Sequence, residues 1–187
     1  MINFHFNPKK SAQAAAYLLR LNGGEMEMYL FIKMLYLADR ESLKKWGEPI
    51  TGDRTVSMKH GPILGRIYDL IKGRMVYSVN FPWTEFISNV DEESNRVFLT
   101  KDPGTDELSK SEMKILQELH SKFKNFTFGK MREFCHSLKE YEDVGGSSKD
   151  LPAEKILKAV GKSDSEITEI EESVHSLQLA DMLLGRA

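Results

Sequence analysis

The sequence predicts a mostly α protein, a single helical domain around one central helix, with a small β-hairpin and C-terminal helices. Three observations predict it. Apolar residues recur three, four and seven positions apart along most of the chain, the spacing of a helix face. Pro or Ser opens several of these runs and Gly closes them, as helix ends prefer. β-Branched, strand-like runs are few and short. With 187 residues, 41% apolar and 29% charged, the chain has ordinary globular composition and enough length to bury a core without staples.

Pro8 suits the first turn of a helix through Lys9 to Leu21, a run of strong helix formers that Asn22-Gly23-Gly24 ends. Met26 to Trp46 carries Leu30, Met34, Leu37 and Leu43 at helical spacing. Further apolar residues at Met28, Phe31, Ile32, Leu35, Tyr36 and Ala38 widen that surface, so this is the central helix, contacted on several sides. Gly47 to Asp53 is a turn-rich loop and Arg54 to Met58 a short extended piece. Pro62 opens a helix from Ile63 to about Lys72, ended by Gly73. Thr84 to Val90 and Arg96 to Lys101, joined by the acidic turn Asp91 to Asn95, read as a hairpin over about 84–101.

Ser109 followed by Glu112 has capping-box spacing and starts a helix to about Phe123. Thr127 to Leu138 forms another. Glu142 to Asp150 has the most flexible composition in the chain, so the main fold is placed at 1–142, with 143–187 as a flexible loop and a C-terminal helical extension. Pro152 to Val160 and Ser165 to Leu184 are its two helices, the second with acids in its first turns and Arg186 at its end.

A net charge of −2 supplies no cationic field, which disfavours nucleic acid as a partner; Lys9-Lys10 and Lys44-Lys45 are the local exceptions a DNA-binding regulator would use. The single cysteine, Cys135, lies in an apolar-periodic run and reads as a buried thiol. No apolar leader and no stretch of roughly 18 apolar residues is present, so a cytoplasmic location without a membrane partner is expected. The five histidines are scattered without ligand spacing, and no glycine-rich loop has a nucleotide fingerprint; no metal or cofactor is expected.

One constellation stands out. Tyr36, Asp39 and Arg40 lie on neighbouring faces of the central helix, and the turns flanking Arg54 to Met58 can bring Asp53, Lys59 and His60 toward them. The favoured reading is a buried polar network that fixes the loops. A partner contact is the second. The third is proton transfer by Asp39, Asp53 and His60, as in a small hydrolase, although one histidine and dispersed carboxylates specify no reaction.

The same residues carry a resemblance. Met34-Leu35-Tyr36-Leu37-Ala38-Asp39-Arg40, then Pro49-Ile50-Thr51-Gly52-Asp53, then Lys59-His60-Gly61-Pro62 with Tyr68-Asp69-Leu70 resembles the Panacea domain, the SocA-like antitoxin family. The likeness is dense from about Tyr29 to Gly73, and the helices to about Tyr141 follow in the family's order. It implies a non-catalytic antitoxin that binds and neutralises a cognate protein toxin encoded beside it, in one branch by delivering the toxin to a ClpXP-type protease. The extension offers a contact helix of its own, with Ile167, Ile170, Val174, Leu177 and Leu184 at helical steps, suited to the core or, through Ile170, Val174 and Leu177, to a partner's groove. Trp46 and Trp83 are candidate anchors.

Overall fold

The computed structural model describes residues 1–74 and 81–184; Arg186, expected at the last helix end, lies outside them. The chain enters the fold at Asn7, whose side chain accepts from the Lys10 amide and caps α1 (Pro8–Leu21). Pro8 takes the first turn, where a missing N–H costs nothing. A short strand, β1 (Glu25–Glu27), precedes α2 (Met28–Trp46). Met26, expected in the helix, is thus in the strand. The helix starts later because the Glu27 carboxylate caps it, accepting from the Tyr29 and Leu30 amides.

α2 is the centre of the molecule. It packs against α1, α5 (Lys110–Phe123), α6 (Phe128–His136) and α7 (Ala153–Ala159). Phe31, Ile32, Met34, Leu35, Tyr36, Leu37 and Ala38 are all buried, which is why its apolar residues run almost round the helix. α5 carries the expected capping box, with Ser109 and Glu112 bonding each other's backbone.

The hairpin lies earlier than expected. β2 (Thr55–Met58) and β3 (Gly61–Leu64) pair antiparallel, with Ser57 opposite Pro62, so Pro62 and Ile63 are strand and α3 spans only Gly65–Ile71. Pro62 is tolerated because β3 is an edge strand. Over 84–101 the expected hairpin is reduced to an Ile87–Leu99 bridge and a few flanking bonds. Trp83–Phe86 forms one helical turn, α4, that sinks Trp83 into the core, and β4 (Arg96–Phe98) takes its ladder from β1 instead.

Within the stretch of most flexible composition, β5 (Ser148–Asp150) pairs with the free edge of β2. α7 then buries Ile156 and Leu157, and α8 (Asp164–Leu183) buries Ile167. Further along α8 the Gln178 side chain donates to the Asn3 carbonyl, while Leu179, Met182 and Leu183 are exposed. No helix among the described residues is long and apolar enough to cross a membrane.

Candidate functional site

The polar side chains picked out in the sequence form three separate arrangements. In the first, the Glu140 carboxylate, which has no exposure, accepts from the Tyr36 hydroxyl at 2.7 Å and from Arg40 Nε at 2.5 Å. Burial, reinforced by Glu140, pushes the Tyr36 hydroxyl well above its ordinary pKa. Glu140 was not singled out in the sequence. It sits between Lys139 and Tyr141 with nothing local to mark it as buried.

In the second, Asp39 holds the loop after α2. One carboxylate oxygen accepts the Ile50 and Thr51 amides, both at 3.0 Å, and the other the Thr51 hydroxyl at 2.5 Å. Burial pushes its pKa up to about 7 against the pull of these donors. Thr51 Oγ1 passes the network on by accepting from the Asp53 amide, and Asp53 in turn accepts the Arg66 and Ile67 amides at the start of α3. Both carboxylates are therefore taken up by backbone N–H groups together with the Thr51 hydroxyl and, for Asp53, the Arg66 guanidinium at 3.4 Å.

The third surrounds His60 at the β2–β3 turn. Its ring stands edge-on to Phe128 at 5.3 Å and to Tyr29 at 6.4 Å, and the Tyr29 hydroxyl donates to the His60 carbonyl. Burial and then the Arg132 charge lower its pKa. The Lys59 carbonyl accepts from His136 and Tyr141, whose rings stack. Four residues of β2 separate Asp53 from this turn by roughly 13 Å of extended chain. Asp39, Asp53 and His60 are not brought together.

Lys33 is the other residue passed over, although a lysine inside Phe31–Leu37 was a legible signal. It is 1% exposed, donates from Nζ to the Pro62 carbonyl at 2.9 Å and faces the Tyr29 ring. Burial draws its pKa down to about 7. A side chain on Gly61 would stand 2.6 Å from Cys135 Cβ and 3.3 Å from Lys33 Nζ, so the hairpin closes tightly over this lysine. Burial raises the Cys135 thiol to about 11, the opposite of an activated nucleophile.

A family model described as antitoxin SocA-like, Panacea domain, matches residues 31–141, more than half of the chain. The chain belongs to this family. No match is found among curated proteins or among solved structures. The matched region thus contains the first two arrangements whole and all of the third but Tyr29, while α8 lies beyond it.

On α8, Ile170 and Val174 are half-buried against the core and Leu177 is 63% exposed. With Phe4, Trp46 and Pro49 they line a cleft of about 340 Å³. Trp46 is 49% exposed at its rim, whereas Trp83, at 2%, is core and offers no anchor. Of the lysines a DNA-binding regulator would use, Lys9 pairs with Asp106 and Glu107, Lys10 with Glu112, and Lys45 approaches Glu41 and Glu118. Among the described residues, no cluster of His, Cys, Asp or Glu could hold a metal ion.

Proposed function

We propose that this protein neutralises a cognate protein toxin by binding it directly. Family membership carries the reading, and the use of the polar residues supports it. Asp39, Asp53 and Glu140 hold backbone and side-chain partners in place. Tyr36, Asp39, Arg40 and Asp53 then act by keeping the surface in shape. Contacts come from Lys59, His60 and the half-exposed Phe128 at the hairpin turn, and from the cleft walled by Ile170, Val174 and Leu177. Large apolar residues exposed at both places are the kind of anchors interfaces use.

The test is a growth assay in which the open reading frame flanking this gene is induced alone and then with this chain. Rescue of a toxic neighbour with co-purification supports the reading; a harmless, non-binding neighbour overturns it. The toxin's half-life in the rescued cells separates two routes. Blocking leaves the half-life unchanged, and delivery to a ClpXP-type protease shortens it.

A further inference from the structure

The exposed side of α8 is divided along its length. Glu172, Ser176, Leu179 and Leu183 follow one another at steps of four, three and four, which places them in one stripe, and all are exposed. Glu169 flanks the acidic end of the stripe and Met182 the apolar end, where Leu183 is 87% and Met182 65% exposed. The opposite face runs from Ile167 through Ile170 and Val174 to Leu177 and Leu184, packed at its start and bare at its end. The final two turns therefore leave Leu177, Leu179, Met182, Leu183 and Leu184 exposed, interrupted only by Gln178 and Asp181, more bare apolar surface than an uncovered helix usually shows.

Charge says what would cover it. Asp164–Leu183 carries six carboxylates and neither lysine nor arginine. Among the described residues Glu169 and Glu172 on this stripe have no cationic partner; Asp181, also without one, lies on the opposite side, in the cleft. Such a face repels phosphate backbones and anionic lipid. A second copy of this chain also fits poorly. Parallel pairing of two stripes stacks Glu172 on Glu172, and full antiparallel overlap sets Leu183 against Glu169.

We propose that the outer stripe of α8, Glu169, Glu172, Leu179, Met182 and Leu183, docks a basic amphipathic helix of the protein partner. Its apolar residues cover Leu179 and Leu183, and its lysines or arginines meet Glu169 and Glu172. This rests on the toxin-binding reading and deepens it. α8 lies outside residues 31–141, so this stripe is a contact surface separate from the region that the family model matches.

The probe is a fluorescein-labelled Leu/Lys amphipathic helix of about three heptads, titrated with the full chain and read by anisotropy. The same helix with Glu in place of Lys is the control. The chain variants are Leu179→Ser with Leu183→Ser, and Glu169→Lys with Glu172→Lys. All four positions are exposed, so circular dichroism and Tm should match wild type. The Leu/Lys helix should bind the wild type, the Leu/Glu helix should not, and each double variant should weaken binding by roughly thirtyfold, the scale of losing central anchors. No binding of the Leu/Lys helix, or equal binding by both double variants, overturns the proposal. So does sedimentation of the wild type as a dimer that Leu179→Ser with Leu183→Ser dissolves, which would assign the stripe to a second copy. A harmless neighbour in the growth assay would remove the toxin reading while leaving the peptide result standing.

Discussion

A single oxygen of Glu140 receives both the Tyr36 hydroxyl and Arg40 Nε, and Arg40 reaches the other oxygen at 3.2 Å. These residues lie about a hundred positions apart in sequence, so the contact fastens the end of the Panacea domain to its central helix. Removing one member of a buried charged pair strands the other without solvent. Glu140→Ala should lower unfolding free energy by about 3–5 kcal/mol in urea titrations. Glu140→Gln, which can still accept from the Tyr36 hydroxyl, should lose less. An Ala variant with the wild-type midpoint would show that the fastening carries no stability.

The two buried titratable groups on α2 act in opposite pH windows. Asp39 titrates near 3.8 when unfolded and about 7 when folded, because burial disfavours its charge. Between those values the native state keeps a proton the unfolded chain has lost, so its contribution falls as pH rises. Lys33 moves from 10.5 down to about 7, again by burial. Above 7 the native state has released a proton that the unfolded chain keeps, so stability rises with pH. Together they put a trough near pH 7. Urea midpoints across pH should show Asp39→Asn flattening the lower limb and Lys33→Met the upper. Lys33→Met should also stabilise the protein most below pH 7, where the wild type buries a cation.

Gly52 sits where the N-terminal segment crosses the loop that Asp39 organises. Its φ is +68, and a Cβ there would stand 2.0 Å from the His5 carbonyl oxygen. Neither the backbone angle nor the neighbouring backbone can give way cheaply. Gly52→Ala should cost about 3 kcal/mol or more, whereas Gly23→Ala, at similar φ but in open space, should cost about 1 kcal/mol. Thermal unfolding of the pair decides it; equal losses would mean that strain alone, and not the crossing, matters.

Much of this architecture was legible in local signals. Asn22-Gly23-Gly24 ends α1, the Ser109–Glu112 box starts α5, and the wide apolar surface of α2 marks it as central. What escaped depends on distant pairing. β1 and β4 are about seventy residues apart, and nothing within Glu25–Glu27 announces a strand. Pro62 signals a helix start locally and is overridden by the edge position beside β2. In the site, Tyr36 and Arg40 are legible because helical spacing sets them on neighbouring faces with Asp39. Glu140 is not, because its burial is decided by Arg40 from across the fold. The split of α8 into a packed face and a bare one likewise depends on where the body ends.

His60 separates chemistry from packing. An acid–histidine mechanism needs its imidazole beside Asp39 or Asp53, but the ring packs instead against the Tyr29–Phe128 pair, with Nδ1 buried and without a hydrogen-bond partner. Its stabilisation is then aromatic contact, on the order of 1 kcal/mol beyond area burial. His60→Ala should lower Tm by the few degrees that such a loss implies. His60→Phe keeps a ring in the same slot, drops the unsatisfied nitrogen and should recover most of that stability. In the growth assay His60→Phe should still neutralise the toxin. If it folds like wild type and neutralises nothing, the imidazole itself does something that ring packing cannot supply.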